Sequence, residues 1–413
     1  MHVRNRPLAA TLAACFALSL GVGAFAPAAA DEPGITPTEI LLGGLHPYSG
    51  PASAYGAIGK GILAYFAYVN DKGGVNGRKI TYKDLDDAYS PPQAVQLTKQ
   101  LVEQDKVFAM FDTLGTPSNL AIRQYLNDNG VPQLYVATGA STWGSDGAKY
   151  PWTIGWQPDY QSEAIVYARY LLKEAPNAKI GVLMQNDDYG EDYLTGLKTG
   201  LGSKSGNIVK VATYEVTDAS VASQVASLKA AGADTFFVFA TPKFSIQALV
   251  AAAQQSWHPR TFFNSVSASA TILGAATKAG GEDATKGLIT TQYLKDPSEP
   301  SWADDAGMKQ YREILAKYAP GADPNNGFFA YGVSIAFTMV DTLKRAGKNP
   351  TRKAVMDIAN HLHETDNFLV LPGIVVETTP KDRFPIDQQR LARYDGTHFV
   401  PFGEIYAGRG RGR

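Results

Sequence analysis

Short apolar runs alternate with longer segments of helical spacing along the first third of the chain. The run at 40–45 has the length of a buried strand, whereas 57–70 repeats its apolar positions every three or four residues and ends at Gly73-Gly74. Further elements of both kinds follow: strands at 79–84, 107–111 and 132–137, and helices at 92–104 and 116–129. This β-α-β-α order predicts a parallel sheet covered by helices on both faces.

The same rhythm restarts after a break at 155–161. A second series contains helices at 162–174, 191–201, 219–231 and 244–256, and strands at 178–185, 209–214, 235–240 and 260–264. Beyond a Pro- and Ser-containing stretch at 296–302 come helical patterns at 304–318, 328–346 and 351–361, and then residues that favour a β-hairpin. The predicted fold class is therefore α/β, with two doubly wound parallel sheets in series.

The composition fits a soluble globular protein with two domains. The 413 residues are 45% hydrophobic and 19% charged, and the formal net charge is -1. No basic face indicates nucleic-acid binding, and no acidic tract indicates disorder. The last six residues, 408–413, alternate Gly and Arg, so we expect a disordered tail there.

The first thirty residues have the three-part pattern of a secretory signal peptide. Arg4 and Arg6 precede an apolar run at 8–26, and Ala28-Ala29-Ala30 provides the small residues of a cleavage site. We expect a signal peptide at 1–30, cleavage after Ala30 and an extracytoplasmic mature protein. A membrane anchor is the alternative, but Gly and Pro interrupt the run and no basic stop-transfer segment follows.

Cys15 is the only cysteine, and it lies inside this segment. The preceding Leu12-Ala13-Ala14 resembles a lipobox, in which Cys15 would carry a lipid, but the apolar run continues for about ten residues beyond it. With or without lipidation, the folded part has no disulfide, so a packed core must provide its stability.

Ligands of parallel α/β sheets bind at the loops that leave the carboxyl ends of the strands. Thr116-Pro117 is the most informative of these loops, because Thr is a favourable N-cap and Pro is favoured at the first helical position. Free N–H groups and the positive end of the helix dipole would then face the cleft and receive a carboxylate. Alternatively, Thr116 only caps its helix. The predicted loops are 46–55, 112–116, 138–141, 186–189, 241–243 and 265–269.

Four stretches, in matching order, resemble the leucine/isoleucine/valine-binding proteins, the type I periplasmic solute-binding family of ABC importers. They are Ser49-Gly50-Pro51 with Tyr55-Gly56, the sequence NDKGGVNG at 70–77, Asp86-Asp87-Ala88 with Pro92-Gln93-Ala94-Val95, and Asp188-Tyr189-Gly190-Glu191. The resemblance spans nearly all of the mature chain, and the ordered set is specific although no single motif is.

The resemblance implies two lobes joined by three crossovers, near 155–158, 292–294 and 371–373. Lobe 1 would then be discontinuous, with the lobes comprising 38–157 plus 293–371 and 158–292 plus 372–407. It also implies a monomer that captures a small organic solute by hinge closure, partners with an ABC permease in the membrane, and performs no chemistry. No cofactor and no metal ion are expected.

The loop positions and the resemblance together nominate nine ligand-binding residues: Tyr55, Gly115, Thr116, Ala137, Thr138, Trp156, Tyr189, Thr241 and Val266. In the family, hydroxyl and backbone groups at the positions of Thr116 and Ala137-Thr138 hold the ligand carboxylate. Tyr55 and Tyr189 match aromatic walls that close on the ligand from opposite lobes, and Trp156 would join them. Plain core packing is the alternative for any one of these rings, since the chain has 21 Tyr.

One loop departs from the amino-acid binders of the family. They place an acidic residue for the ligand's ammonium after the strand at 260–264, whereas this loop reads Ser265-Val266-Ser267-Ala268. Because a buried ammonium without a counter-charge is costly, either another acid such as Asp187 supplies the charge or the ligand lacks an α-amino group. The second alternative favours an apolar or aromatic carboxylic acid or a small amide. A slip of a few residues in the alignment would weaken this inference, because Glu282 and Asp283 lie further along the chain.

Two other function classes stay open: an exported α/β enzyme acting on a small molecule, and a ligand sensor for a signalling partner. An enzyme needs a nucleophile with a base, yet the chain has no G-x-S-x-G motif and no cysteine after Cys15. His361 and His363 lack a third partner at a known spacing and do not predict a metal site. We recognise no fused output domain, which favours the solute-binding hypothesis over the sensor.

Overall fold

The computed structural model of the protein describes residues 1–2 and 32–407. The predicted cleavage site after Ala30, the lipidation alternative at Cys15 and the predicted tail at 408–413 lie outside the described residues. None of the helices in the described part of the chain combines the length and the apolar character that crossing a bilayer requires.

Two large sheets organise residues 32–407. The strands, in chain order, are β1 (Glu39–His46), β2 (Lys79–Asp86), β3 (Ala109–Phe111), β4 (Gln133–Val136), β5 (Thr153–Gly155), β6 (Ile180–Gln185), β7 (Ile208–Tyr214), β8 (Thr235–Phe239), β9 (Arg260–Phe263), β10 (Ile289–Gln292), β11 (His363–Glu364), β12 (Val376–Glu377), β13 (Gln388–Tyr394) and β14 (Phe399–Ala407). The first sheet has the order β2-β1-β3-β4-β5, the second β14-β13-β10-β9-β8-β6-β7, and β11 pairs with β12. We call the layers built on the first sheet lobe 1 and those built on the second sheet lobe 2.

The predicted architecture of two α/β units is confirmed, with an antiparallel edge added to lobe 2. The first sheet is parallel throughout, and β6 to β10 are parallel in the second. Strand β13 runs antiparallel to β10, and β14 runs antiparallel to β13. This edge is the predicted C-terminal hairpin, which joins the second sheet beside β10.

Helices cover both sheets. In chain order they are α1 (Gly56–Asp71), α2 (Pro91–Lys99), α3 (Thr116–Asp128), α4 (Thr142–Ser145), α5 (Tyr160–Glu174), α6 (Asp188–Leu201), α7 (Ala222–Ala230), α8 (Pro242–Gln254), α9 (Ala270–Gly280), α10 (Ala306–Tyr318), α11 (Gly327–Arg345) and α12 (Arg352–Ala359). A π-helical turn at Gln100–Gln104 continues α2, so the single helix predicted at 92–104 has two parts.

The central strands are buried on both faces because helices cover both sides of each sheet. Every residue of β3, β4, β6 and β8 is buried. Helix α11, from late in the chain, packs against α1 of lobe 1 at two glycines. A Cβ on Gly332 would lie 2.2 Å from the carbonyl oxygen of Ile58, and one on Gly61 would lie 2.6 Å from that of Phe329. This close approach is how a late segment becomes part of the first lobe.

The chain passes between the lobes three times. The first passage lies between β5 and α5, and the second begins after β10. Residues 293–295 and 369–371 run side by side, with Lys295 N–H donating to Leu369 O and Leu371 N–H donating to Tyr293 O. Arg383 still donates to Thr153 O of β5 at 2.7 Å, whereas β13 from Gln388 belongs to the second sheet, so the third passage lies between them instead of at the expected 371–373.

Candidate functional site

A cavity of about 900 Å³, counting its open mouth, lies between the carboxyl ends of the two sheets. Seven aromatic residues in its lining, which we call the aromatic walls, are Tyr55, Tyr89, Tyr160, Tyr189, Tyr293, Phe328 and Tyr331. The other lining residues are Ile58, Leu114, Gly115, Thr116, Ala137, Gln157, Thr241, Ser265, Val266, Ala268, Thr291, Gln292, Leu294, Lys295, Asp296, Pro297 and Gly327. A cavity enclosed by rings with polar tips suits a small, mainly apolar molecule.

Seven of the nine residues nominated from the sequence line this cavity: Tyr55, Gly115, Thr116, Ala137, Tyr189, Thr241 and Val266. Thr138 is not in the lining, but its Oγ1 lies 2.6 Å from Thr116 Oγ1. Trp156 is fully buried behind the aromatic walls, edge-on to Tyr331 with ring centroids 5.4 Å apart. Its Nε1–H donates to Thr338 Oγ1 at 3.0 Å, which makes Trp156 a support for the wall instead of a lining residue.

The start of α3 differs from the sequence expectation. Thr116 is the first helical residue, Gly115 is the N-cap with φ 97°, and no side chain caps the helix, so the prediction that Thr116 is the N-cap is wrong. A Cβ on Gly115 would lie 2.6 Å from the ring of Tyr89, which leaves room only for glycine. The Thr-Pro N-cap geometry occurs instead in lobe 2, where Thr241 is the N-cap of α8 and Pro242 its first residue.

Tyr89 is a wall residue that the sequence analysis did not nominate. Its backbone is left-handed, with φ 60°, a conformation that costs a non-glycine residue about 1 kcal/mol or more. The buried Asp87 carboxylate holds it there, accepting from Tyr89 N–H at 2.9 Å and from the hydroxyl of Ser118 in α3 at 2.9 Å. Burial raises the pKa of Asp87. The Asp86-Asp87-Ala88 motif therefore positions a cavity wall, and this signal could have pointed to Tyr89.

The wall from lobe 2 rests on a buried carboxylate that the sequence analysis also missed. Glu163, in the first turn of α5, accepts from Ser265 N–H at 2.7 Å and from Ser265 Oγ at 2.6 Å. Asp187, the nominated alternative counter-charge, caps α6 and accepts from the N–H groups of Tyr189 and Gly190. Neither Asp187 nor the exposed Glu282 and Asp283 lines the cavity.

The two charged residues in the lining are already paired within the protein. Lys295 Nζ lies 2.8 Å from both carboxylate oxygens of Asp305. Asp296 accepts from the N–H and the hydroxyl of Ser298 at 2.9 Å, and from Phe399 N–H at 3.4 Å. Asp296, the one carboxylate among the lining residues described, is thus already hydrogen-bonded to three donors of the protein.

Comparison with known proteins agrees with this geometry. A family model described as periplasmic binding protein matches residues 39–398. The chain belongs to the periplasmic binding protein family. A Leu/Ile/Val-binding protein homolog of Brucella melitensis is 27% identical to this periplasmic binding protein over 202 residues, which are 48% of this chain and 54% of the relative. The match therefore spans about half the length of that relative.

Solved structures share the fold of this periplasmic binding protein. A branched chain amino acid ABC transporter protein from Thermus thermophilus with bound valine has a TM-score of 0.78 at 16% identity, covering 90% of this chain and 96% of that one. A solute binding protein of an ABC transporter from R. palustris in complex with benzoate has a TM-score of 0.75 at 19% identity, covering 89% and 98%. At these identities the likeness shows a common fold.

A buried charge cluster lies under the lobe 1 side of the binding protein's cavity. His46, at the end of β1, places Nδ1 2.9 Å from Asp84 and Nε2 3.2 Å from Asp112. Burial lowers the pKa of His46, but the two carboxylates outweigh burial and raise it to about 10. Tyr48 donates its hydroxyl to Asp84 at 2.5 Å. The cluster therefore ties the loop that leads to Tyr55 to the ends of β2 and β3.

Hydrogen bonds across the mouth join the two lobes of the binding protein. Asp192 of α6 accepts from Ser141 N–H at 2.6 Å and from Ser141 Oγ at 2.9 Å. On another part of the rim, Ser269 Oγ donates to Asn326 at 3.2 Å. Beside the cavity, the hydroxyls of the lining residue Tyr55 and of the buried Ser267 lie 3.4 Å apart. The lobes are thus in contact around the cavity.

Proposed function

We propose that this protein is the extracytoplasmic substrate-binding protein of an ABC importer of the branched-chain amino acid type. The observation that carries the proposal is the cavity with aromatic walls from both lobes, in a chain of the periplasmic binding protein family. The protein captures a small organic solute by hinge closure and presents it to a membrane permease without converting it.

Hinge closure is part of the proposal because the two lobes each supply residues of the cavity lining. Tyr55 and Tyr89 belong to lobe 1, whereas Tyr189 and Val266 belong to lobe 2. A ligand contacts both sets only when the lobes are together, so binding stabilises the closed form by the free energy of the additional contacts. Cross-lobe bonds such as Asp192 to Ser141 add to that form.

The ligand that fits best is a carboxylic acid with an aromatic or apolar body. Its carboxylate is received at the start of α3, where the first N–H groups and the Thr116 hydroxyl meet the cavity. Its body packs against the aromatic walls. An α-ammonium is disfavoured because Asp296 is committed to Ser298 and Phe399. A relative of the fold that holds benzoate supports this ligand class.

The test is a thermal-shift screen of the mature protein with aromatic acids, aliphatic acids, amino acids and amides, followed by calorimetry of the best ligands. We expect one site per chain, tightest binding to a carboxylate without an α-amino group, and unchanged ligand by mass spectrometry after long incubation. Tightest binding to leucine would refute the ligand class, and measured product formation would refute the transport role.

A further inference from the structure

Glu163 carries a charge that ligand binding, as proposed above, does not use. Its side chain is 1% exposed and accepts four hydrogen bonds. The donors are the hydroxyl of Tyr167 at 2.7 Å, the hydroxyl of Tyr193 at 2.9 Å, and the N–H and hydroxyl of Ser265 at 2.7 Å and 2.6 Å. Four donors occupy most of the lone pairs of a carboxylate, so Glu163 is held in one orientation.

The hydrogen-bond partners of Glu163 line or support three parts of the lobe 2 wall. Ser265 lines the cavity directly. The ring of Tyr193 stacks on Tyr160 with centroids 4.5 Å apart and lies edge-on to Tyr189 at 5.5 Å. The Tyr167 hydroxyl accepts from the N–H of Thr291, another lining residue, at 3.1 Å.

The bond to Glu163 decides what Ser265 can offer a ligand. A serine hydroxyl has one proton and two lone pairs. The proton of Ser265 is donated to Glu163, so only lone pairs remain, and a hydroxyl polarised by an anion is a stronger acceptor. Glu163 itself is absent from the lining. Glu163 therefore acts on a ligand only through Ser265, whose hydroxyl oxygen it makes a stronger hydrogen-bond acceptor.

We propose that Glu163 is a positioning residue that fixes Ser265 as a hydrogen-bond acceptor, so that the site selects ligands bearing a neutral donor such as a hydroxyl group. The inference rests on the proposed function and deepens it: the ligand is a carboxylate whose body also carries a hydroxyl that reaches the lobe 2 wall. A ligand ammonium would bind more weakly here than in a site where a free carboxylate lines the cavity, because Glu163 already accepts hydrogen bonds from four donors.

The test compares matched ligand pairs that differ by one hydroxyl: benzoate with 4-hydroxybenzoate, and 3-phenylpropanoate with 3-(4-hydroxyphenyl)propanoate. Calorimetry gives the ratio of affinities within each pair for the wild type, Glu163→Gln and Ser265→Ala. Ser245→Ala is the control, because Ser245 is a buried lobe 2 serine outside the cavity that donates to Ala240 O.

We expect the wild type to favour the hydroxylated member of at least one pair by about tenfold. Glu163→Gln should bring that ratio to within about twofold, because a carboxamide cannot accept at its NH₂ end and Ser265 is then free to donate. Ser265→Ala should do the same, because alanine offers no acceptor to the ligand hydroxyl. Ser245→Ala should keep the wild-type ratio.

The pH profile separates this role from a purely structural one. Acidification should reduce the ratio in the wild type but not in Glu163→Gln, because a protonated carboxyl can no longer accept from all four donors. Burial raises the pKa of Glu163, so the loss begins above the usual range for a carboxyl. The titratable groups facing it are the phenols of Tyr160, Tyr167, Tyr193 and Tyr293, which burial keeps neutral.

The outcomes are distinguishable. The role of Glu163 would be overturned if both Glu163→Gln and Ser265→Ala kept the wild-type ratio of affinities, or if the wild type preferred neither hydroxylated ligand. Either result would leave the proposed function standing. Failure of the wild type to bind any carboxylate would overturn the proposed function as well. If Glu163→Gln does not fold by circular dichroism, Ser265→Ala decides, because that change leaves Glu163 its bonds to Tyr167 and Tyr193.

Discussion

Glu364→Gln should make the protein markedly more stable at alkaline pH. Glu364 is 3% exposed, and burial raises its pKa from 4.5 to about 8. One carboxyl oxygen accepts from Thr338 Oγ1 at 2.8 Å, while Oε1 has no hydrogen-bond partner in the described structure. Thr338 in turn accepts from Trp156 behind the aromatic walls. The folded protein therefore prefers Glu364 protonated.

The sign and size of the effect follow from linkage. Because the folded pKa lies above the unfolded value, the contribution of Glu364 to the free energy of unfolding is fully present below pH 4.5 and is lost as pH rises through 8. A pKa shift of this size corresponds to about 5 kcal/mol in the free energy of unfolding, and most of that stabilisation is lost between pH 5 and 8. Glutamine keeps an oxygen for the Thr338 hydroxyl and carries no charge, so the variant should lack this slope.

The measurement is urea unfolding of wild type and Glu364→Gln at pH 5, 6, 7, 8 and 9. Their difference cancels contributions of groups common to both proteins, including the His46 cluster. We expect the difference to grow by several kcal/mol toward pH 9 in favour of the variant. Glu404→Gln is the control, because it makes the same change at an exposed residue whose charge does not contribute to the raised pKa of Glu364. A difference that stays constant with pH would refute the buried, protonated Glu364.

Three further changes test the site and its closure. Thr116→Val keeps the shape but removes the hydroxyl, and calorimetry should show carboxylate affinity about fivefold lower; equal affinity would exclude that hydroxyl from the site. Gly115→Ala forces φ 97° on alanine and places a Cβ 2.6 Å from the Tyr89 ring. Urea unfolding should therefore show a free energy of unfolding lower by about 2 kcal/mol. A decrease under about 0.5 kcal/mol would contradict that packing. Asp192→Asn weakens the cross-lobe bonds to Ser141, and stopped-flow dissociation should be about tenfold faster; an unchanged rate would show that these bonds do not favour the closed form.

Local patterns in the sequence predicted most elements of the fold, but not β5, α9 and β10. Helix α11 was expected at 328–346 and spans Gly327–Arg345, and α3 was expected at 116–129 and spans Thr116–Asp128. Apolar periodicity, Gly and Pro act over a few residues, so they can be read without knowing the partners. The loop rule for parallel sheets, together with the family resemblance, then nominated seven residues that line the cavity.

Contacts between distant segments decided the character of the site. Tyr160, Tyr293 and Tyr331 meet in one cavity although three separate parts of the chain supply them, and no local pattern separates them from core tyrosines. Likewise, the loop after β9 lacks an acid of its own but rests on Glu163, 102 residues away. Periodicity records which side of an element is buried, whereas the identity of the neighbour, and with it the charge and hydrogen bonding of the cavity, depends on how the lobes pack.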